Sequence, residues 1–421
     1  MTVRVAFDIS ILRHGLTGGT AQYAYNLCRA LLELERPPEV KALFCARASA
    51  LGEEAVAELA ALGATIVRAP APWRWSPDGA WWLPVRPPLG DLVRGVDVFH
   101  VGEFVLPPPR LAGGHRDDST AFVATVHDLT TATHPEHHTR LNRAVHARRL
   151  RWIERHADRV IAVSGATRRD LVDRTGVVPE RVDVVHEART TTSVPDPAAG
   201  AKVLRRHGLS AGHYVLAVGT LEPRKNHARL LAAFERLPPR LGGLELVFAG
   251  AWGWRSSDLR RALERSPARQ RVRVLGFVPP GELAALYAGA AAFAFPSLYE
   301  GFGLPLLEAM AAGAPILTAE VSSMPEVVGD AAVLVDPLSV DSIRAALQRL
   351  LEDDTLRGRV AAAGHARERG FTWRRAAIET LASYERALVA RRGTAQDTPE
   401  AGGPGARQRL GAAAESAAVS G

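Results

Sequence analysis

Lysine is almost missing from this chain. Lys41, Lys202 and Lys225 are its three lysines in 421 residues, against 52 basic residues in all. The positive charge is therefore nearly all arginine, and a lysine in a chemically loaded context carries more information than usual. Cysteine is just as scarce. Cys28 and Cys45 cannot make a disulfide framework, which points to a reducing, cytoplasmic setting. No apolar run reaches the roughly 20 residues of a membrane span. The opening MTVRVAFD reads as a first strand, not as a signal peptide. There is no Gly-Lys-Ser/Thr, no complete Gly-x-Gly-x-x-Gly after the first strand, no Asp-x-Asp and no His/Cys cluster of metal-ligand spacing. These gaps speak against a P-loop, against a dinucleotide fingerprint and for a site without a metal.

What is present is an ordinary globular composition, 47% apolar and 23% charged, long enough for two domains. The net charge of +7 favours anionic partners such as a phosphate, a nucleotide or an anionic membrane face. It does not by itself indicate nucleic acid. Apolar β-rich runs alternate with helical patterns almost throughout, which predicts parallel sheets with helices on both faces. One series of runs occupies 3–8, 40–45, 64–69, 96–101, 121–127 and 159–164. A second occupies 213–219, 244–250, 272–277, 291–297, 314–319 and 332–337. Helical patterns between them include 20–34, 141–156, 227–236, 304–312 and 340–351. The two series predict an α/β protein of two doubly wound, Rossmann-like domains, 1–195 and 196–370, joined by a Pro- and Gly-rich linker near 190–212. A tail at 391–421, rich in Gly, Ala, Pro, Gln and Ser without periodicity, reads as disordered. In such proteins a ligand sits in the cleft, at the carboxyl ends of the strands.

The most informative segment is FPSLYEGFGLPLLEAMAAGAPILTAEVSSMPE, 295–326. Glu300 and Glu308 stand eight positions apart across a Gly301-Phe302-Gly303 turn that opens a helix at Leu304. A helix start offers unpaired N–H groups and a positive dipole end, which suits a phosphate. The neighbours of Glu308 are mostly apolar, so its carboxylate needs a partner, and ribose hydroxyls would serve. Ser323-x-x-Glu326 matches a capping box, which fully accounts for Glu326. A second motif is GTLEPRKN, 219–226. A strand ends at Gly219, and Asn226 reads as the N-cap of the next helix. Arg224 and Lys225 then stand at a helix start, a strong arrangement for a diphosphate. A surface basic pair is the plain alternative, and the rarity of lysine weighs against it. Gly18 and Gly19, after the first strand, allow close approach of backbone to a ligand. His127-Asp128 ends the strand AFVATV on the side that faces the cleft, although a lone histidine is more often structural.

Together these segments resemble glycosyltransferase family 4, retaining enzymes of GT-B fold, in which two Rossmann-like domains face each other across a cleft. The resemblance covers roughly residues 1–390 and includes GGTAQYAYNL, VHDLTTATHPE, RVIAVSGATRRDL, VGTLEPRKN and SSMPEVVGDAAVLVDP. The HDL and SSMPEVVGDAA wording is most similar to bacterial mannosyltransferase-like members that build polysaccharides. The resemblance implies that Arg224 and Lys225 bind the donor diphosphate and stabilise the leaving group. It implies Glu308 on the donor ribose, Glu300 on hydroxyls of the transferred sugar, and His127 beside the sugar's reacting face. Gly18 and Gly19 would approach the diphosphate, and Gly219, Gly301, Phe302, Gly303 and Leu304 complete the donor-binding set. The helix at about 373–390 would pack back on the N-terminal domain. One departure stands out. Where the family commonly reads Val-x-Asn-Gly-Val-Asp, this chain has VVHEARTTT, 184–192, with His186, Glu187 and Arg189 in place of a small turn.

The activity so implied is transfer of a hexose from a nucleotide diphosphate sugar, GDP-mannose favoured, to a hydroxyl of a glycan or lipid-linked glycan. The nucleotide sugar is a substrate, and no cofactor is called for. The alternative is a UDP-sugar enzyme acting on a small soluble acceptor, such as a natural-product aglycone or inositol. Trp73, Trp75, Trp81 and Trp82 in a Pro-rich loop would bind sugar or lipid headgroups, or simply pack against their own domain. Arg143, Arg148, Arg149, Arg151 and Arg155 on helix 141–156 would place the protein peripherally on the anionic inner face of the cell membrane, or form a solvated face. A binding protein without turnover and a nicotinamide-dependent oxidoreductase are the readings from other classes.

Overall fold

The computed structural model describes residues 2–16, 18–44, 49–68, 94–102, 120–190 and 196–396. The Trp-rich loop and the tail beyond 396 lie outside them. The N-terminal sheet has β1 (Arg4–Asp8), β2 (Glu39–Phe44), β3 (Thr65–Arg68), β4 (Val98–Val101), β5 (Ala121–Val126), β6 (Arg159–Ala162) and β7 (Val182–Val184), in the order β3-β2-β1-β4-β5-β6-β7. The C-terminal sheet has β8 (Tyr214–Val218), β9 (Glu245–Ala249), β10 (Val272–Gly276), β11 (Ala292–Phe295), β12 (Ile316–Ala319) and β13 (Ala332–Val335), in the order β10-β9-β8-β11-β12-β13. Every described pairing is parallel. Each run of the two predicted series is a strand. The seventh strand of the first sheet escapes the pattern because three residues are too few to show a period.

Helices cover both faces of each sheet, so the central strands are apolar throughout instead of alternating. All six residues of β5 are buried, and the hydroxyl of Thr125 is satisfied by Tyr23 and His100 at 2.9 and 2.7 Å. An apolar cluster runs from β1 and the helix Gly19–Leu32 to Ala376, Ala377 and Tyr384, and on into the second half at Phe302 and Leu304. The C-terminal helix Trp373–Gln396 packs against Gly19–Leu32 and against β5 and β6. It continues through 391–396, where a disordered tail is expected. Arg391 is buried there and pairs with Asp158, which holds the last turns down. The linker expectation also needs correction. Pro197–Arg206 is a helix whose start is capped by Asp196 on the N–H groups of Ala198 and Ala199. The Asp-Pro pair that reads as linker composition is a helix start.

The winding of each sheet positions the site. The chain goes from β1 to one side and returns at β4 to build the other, and the same reversal separates β8 from β11. A crevice opens at such a reversal, outside the carboxyl ends of the strands. The loops that follow β8 and β11 are GTLEPRKN and PSLYEGFG. Topology thus brings together two segments about 75 residues apart.

Candidate active site

The loop after β8 tightens into a short turn at Pro223–Lys225 and reverses at Asn226, which sits in the left-handed region at φ 62°. Asn226 does not cap the helix His227–Glu235, as its sequence position suggests. Its side-chain amide donates to the carbonyls of Pro296 and Pro337 at 2.9 and 2.7 Å, tying the loop after β8 to those after β11 and β13. Arg224 and Lys225 are thereby aimed at the loop after β11. Arg224 Nη1 lies 2.6 Å from Glu300 Oε2 and donates to the Tyr299 carbonyl at 2.8 Å, while its Nε donates to Glu222 at 3.0 Å. Lys225 Nζ donates to Glu300 Oε1 at 2.7 Å and stands 4.7 Å from the centre of the Phe295 ring. Gly219 lies beneath the Lys225 stem, where a Cβ would come within 3.2 Å of Cε.

Burial works against every charge in this cluster, and the partners decide the outcome. For Glu300 burial pushes upward, but Arg224 and Lys225 outweigh it and hold the carboxyl down at about 2. For Arg224 burial works against the cation, and Glu300, Glu222 and Asp128 more than offset it, so its pKa is raised. Lys225 is shifted down, because burial there exceeds the help from Glu300.

The Gly301-Phe302-Gly303 turn follows directly. A Cβ at Gly301 would fall 1.8 Å from the carbonyl oxygen of His127, so this position admits only glycine while the two halves are in contact. Gly303, at φ 110°, is the N-cap of the helix Leu304–Ala311. Glu308, one turn into that helix, finds its partners in two hydroxyls. Thr190 and Tyr287 each donate to it at 2.9 Å. Burial raises its pKa, and the two hydrogen bonds oppose the rise only in part.

From the N-terminal half, Gly18 caps the helix Gly19–Leu32 at φ 87°, and Gly19 faces the Leu304 side chain. His127 ends β5 and has its Nδ1 3.0 Å from Glu187 Oε1, both side chains almost fully buried. The Tyr23 ring meets the imidazole edge-on, with centroids 4.6 Å apart. The residues implied as catalytic or donor-binding, from Gly18 and Gly19 through His127, Gly219, Arg224 and Lys225 to Glu300–Leu304 and Glu308, line one cavity of about 760 Å³. Its wall also holds Thr190, Glu187 and the exposed Phe277, none of which sequence reasoning placed there. The departure from the family wording at 184–192 is the one signal for the first two.

The capping-box assignment of Glu326 is wrong. The Ser323 hydroxyl donates to the carbonyls of Glu300 and Phe302 at 2.9 and 2.8 Å, and makes no cap. The Glu326 carboxylate reaches to the other half instead. It accepts from the N–H of Gly165 at 2.8 Å, from that of Ala166 at 3.2 Å, and lies 2.7 Å from His186 Nε2. It therefore sits at the N-terminus of the helix Gly165–Arg174. Ser322, in the loop before it, supports the backbone of Glu300. Among the described residues no group of three or more His, Cys, Asp or Glu is arranged to hold a metal ion, and no helix is long and apolar enough to cross a membrane.

Comparisons with known proteins bear on the family and the fold. Residues 17–191 match the profile of Glycosyltransferase Family 4, and residues 205–367 that of glycosyl transferases group 1. The O-antigen chain mannosyltransferase B of Escherichia coli is 34% identical over 297 residues, 68% of this chain and 74% of its own length. The D-inositol 3-phosphate glycosyltransferase of Salinispora arenicola is 34% identical over 250 residues, 56% of each chain. Among solved structures, Anabaena Alr3699/HepE in complex with UDP-glucose superposes with a TM-score of 0.67 at 18% identity, covering 90% of this chain and 99% of that one.

Proposed function

This chain belongs to glycosyltransferase family 4 and is a glycosyltransferase of GT-B fold, and from that premise we propose that it moves mannose from GDP-mannose, with retained configuration, to a hydroxyl of a glycan or lipid-linked glycan. The observation that carries this reading is the Arg224–Lys225–Glu300 cluster at the reversal between β8 and β11, beside the start of the helix Leu304–Ala311. Two partly buried cations and a helix N-terminus on one wall match a diphosphate, and Glu308 in the same wall matches ribose hydroxyls. The mannosyl assignment draws on the 34% identity to the Escherichia coli mannosyltransferase.

In this scheme the diphosphate takes over Arg224 and Lys225 from Glu300, which turns to hydroxyls of the sugar. As the bond from the anomeric carbon to the phosphate oxygen breaks, the two cations neutralise the charge that grows on the leaving group. The acceptor oxygen attacks from the face the diphosphate leaves, and a phosphate oxygen takes its proton. The cations do what a metal ion does in other transferases, so activity is expected to survive a chelator. Ligand-induced stabilisation tests the donor assignment. GDP-mannose is expected to raise the melting temperature more than UDP-glucose or UDP-GlcNAc, and a chain that responds to no nucleotide sugar overturns the reading.

A second reading is a UDP-sugar enzyme for a small soluble acceptor; its acceptor side is favoured by the 34% identity to the inositol phosphate glycosyltransferase over 56% of this chain. Stabilisation by a UDP-sugar, with turnover on a soluble acceptor, selects it. The helix Arg140–His156 bears on where a lipid-linked acceptor would be met. Leu141 and Val145 are exposed beside Arg143 and Arg148, an arrangement that fits an anionic membrane surface. Arg149 does not belong to that face. It is buried, and it donates to the carbonyls of Gly102 and Thr125.

A further inference from the structure

The segment that departs from the family wording, 186–190, is fastened at nearly every residue to a different part of the molecule. His186 meets Glu326, Arg189 pairs with Glu368 at 2.5 Å, the Arg189 carbonyl accepts from Trp373, and Thr190 donates to Glu308. Glu187, in the middle, is 4% exposed and turns its carboxylate to His127 at 3.0 Å. Both residues line the donor cavity. On its other side the His127 ring is braced by Tyr23, whose hydroxyl ends a buried chain of hydrogen bonds. Thr125 lies 2.9 Å from it, His100 Nε2 lies 2.7 Å from Thr125, and Tyr384 lies 2.7 Å from His100 Nδ1.

We propose that Glu187 is a positioning residue for the transfer reaction: its carboxylate accepts from His127 Nδ1 and fixes the tautomer and the orientation of the ring at the cavity wall. An ionised carboxylate only accepts hydrogen bonds, so the ring nitrogen it meets carries the proton. Nε2 is then the acceptor of a neutral ring, or the second donor of a charged one, and never the sole protonated nitrogen. The same logic operates wherever a buried carboxylate orients a histidine, and loss of such an outer partner typically costs about 10- to 100-fold in function. Fastening of 186–190 at its neighbours keeps the carboxylate from following the substrate, so the ring is set before the donor arrives.

The catalytic part of this proposal rests on the glycosyltransferase reading, and the experiment separates the two. In the full chain labelled with ¹⁵N-histidine, with His127 assigned through a His127→Asn variant, ring shifts are expected to show Nδ1–H in the parent and in Glu187→Asp. They should show a mixture or Nε2–H in Glu187→Gln, whose amide can itself donate to the ring. In turnover, Glu187→Gln is expected to lower kcat about 10- to 100-fold with the donor KM within about threefold. Glu187→Asp should recover much of the loss. A parent with Nε2–H, an unchanged tautomer in Glu187→Gln, or a kcat within twofold of the parent overturns the proposal. If Glu187→Gln fails to fold, the parent and the aspartate variant still decide the tautomer. A parent that binds no nucleotide sugar sinks the function reading instead and leaves the ring shifts to speak for themselves.

Discussion

Glu300 and Glu308 stand eight positions apart on one wall, the first buried and the second partly buried, and they are held in opposite ways. Glu300 sits between two cations supplied by the loop after β8, and they keep it ionised down to a pH of about 2. Glu308 has two neutral hydroxyls for partners, and burial lifts its pKa. The difference comes from what topology brings to each position, not from the residue type. In the ionic cluster the desolvation of each charge is set against its partners, and in the proposed scheme the two cations are the groups offered to a diphosphate. Burial disfavours the charged form of the hydroxyl-held carboxylate, a penalty that further donors such as ribose hydroxyls would lessen.

The contrast breaks most visibly at Lys225. Lys225→Ala leaves Glu300 with Arg224 alone and removes one of two charges from the leaving group. Turnover is expected to fall about 10²- to 10³-fold, the usual scale for one preorganised electrostatic donor. Because Lys225 is buried against Glu300, the variant also loses stability, so rates are to be compared well below its melting temperature. The sign with pH is fixed by Glu300. Its folded pKa lies below the unfolded value, so its contribution is full above about 4.3 and is lost as pH falls toward 2. The variant should shrink that acid-side contribution. A turnover near the parent's would show that the cluster is structural.

Glu308→Gln tests the other member. Loss of the carboxylate proposed to accept from ribose is expected to weaken donor binding about 10- to 100-fold, read as KM or as reduced stabilisation by GDP-mannose. The unliganded variant should be no less stable than the parent at neutral pH. Glu308 has a folded pKa above its unfolded value, so the native state binds the extra proton and stability falls as pH rises from about 4.3 through the raised value. Glutamine removes that slope, and one hydroxyl can rotate to accept from the new amide. A clear loss of stability at neutral pH would mean that the carboxylate is held for the fold and not for the ligand.

The same contrast shows what could be read from the chain alone. Strand series, most helix starts and the two motifs that line the cavity were legible, since each is a local pattern with a period or a spacing. So was the pairing of GTLEPRKN with the Gly-x-Gly segment, once parallel winding put both loops at one reversal. Residues whose partners come from the other half were not legible. Asn226 and Ser323 look like caps because a short polar residue before a helix usually is one, yet both serve loop carbonyls. Glu187 carried only a negative signal, as a departure from the family wording at 184–192. Asp196-Pro197 looked like linker and begins a helix. For Asn226, Ser323 and Glu187 long-range geometry supplied partners that no local pattern announces, whereas at Asp196-Pro197 a local helix start was taken for linker composition.

Glu326 adds a third carboxylate that falls between the other two. Burial pushes its pKa up, while His186 and the N–H groups of Gly165 and Ala166 prevail and lower it. Its partners are neither two cations nor two hydroxyls, but a helix start and a histidine, all from the opposite half. Glu326→Gln keeps the shape and gives up the charge facing the helix dipole, so it is expected to cost about 1 kcal/mol, the scale of a lost cap. The effect should be local to the contact between halves. Hydrogen exchange at the Gly165 and Ala166 amides should speed up about fivefold, roughly what that energy allows, while amides of β5 and β11 stay protected. The folded pKa of Glu326 is depressed, so the parent's contact is complete above about 4.3 and loosens as pH falls below it. The variant should show the loosened exchange already at neutral pH. Exchange at those two amides that matches the parent at every pH would mean the helix start is satisfied without Glu326, and the carboxylate would then belong with Glu308 as a group kept for something other than the fold.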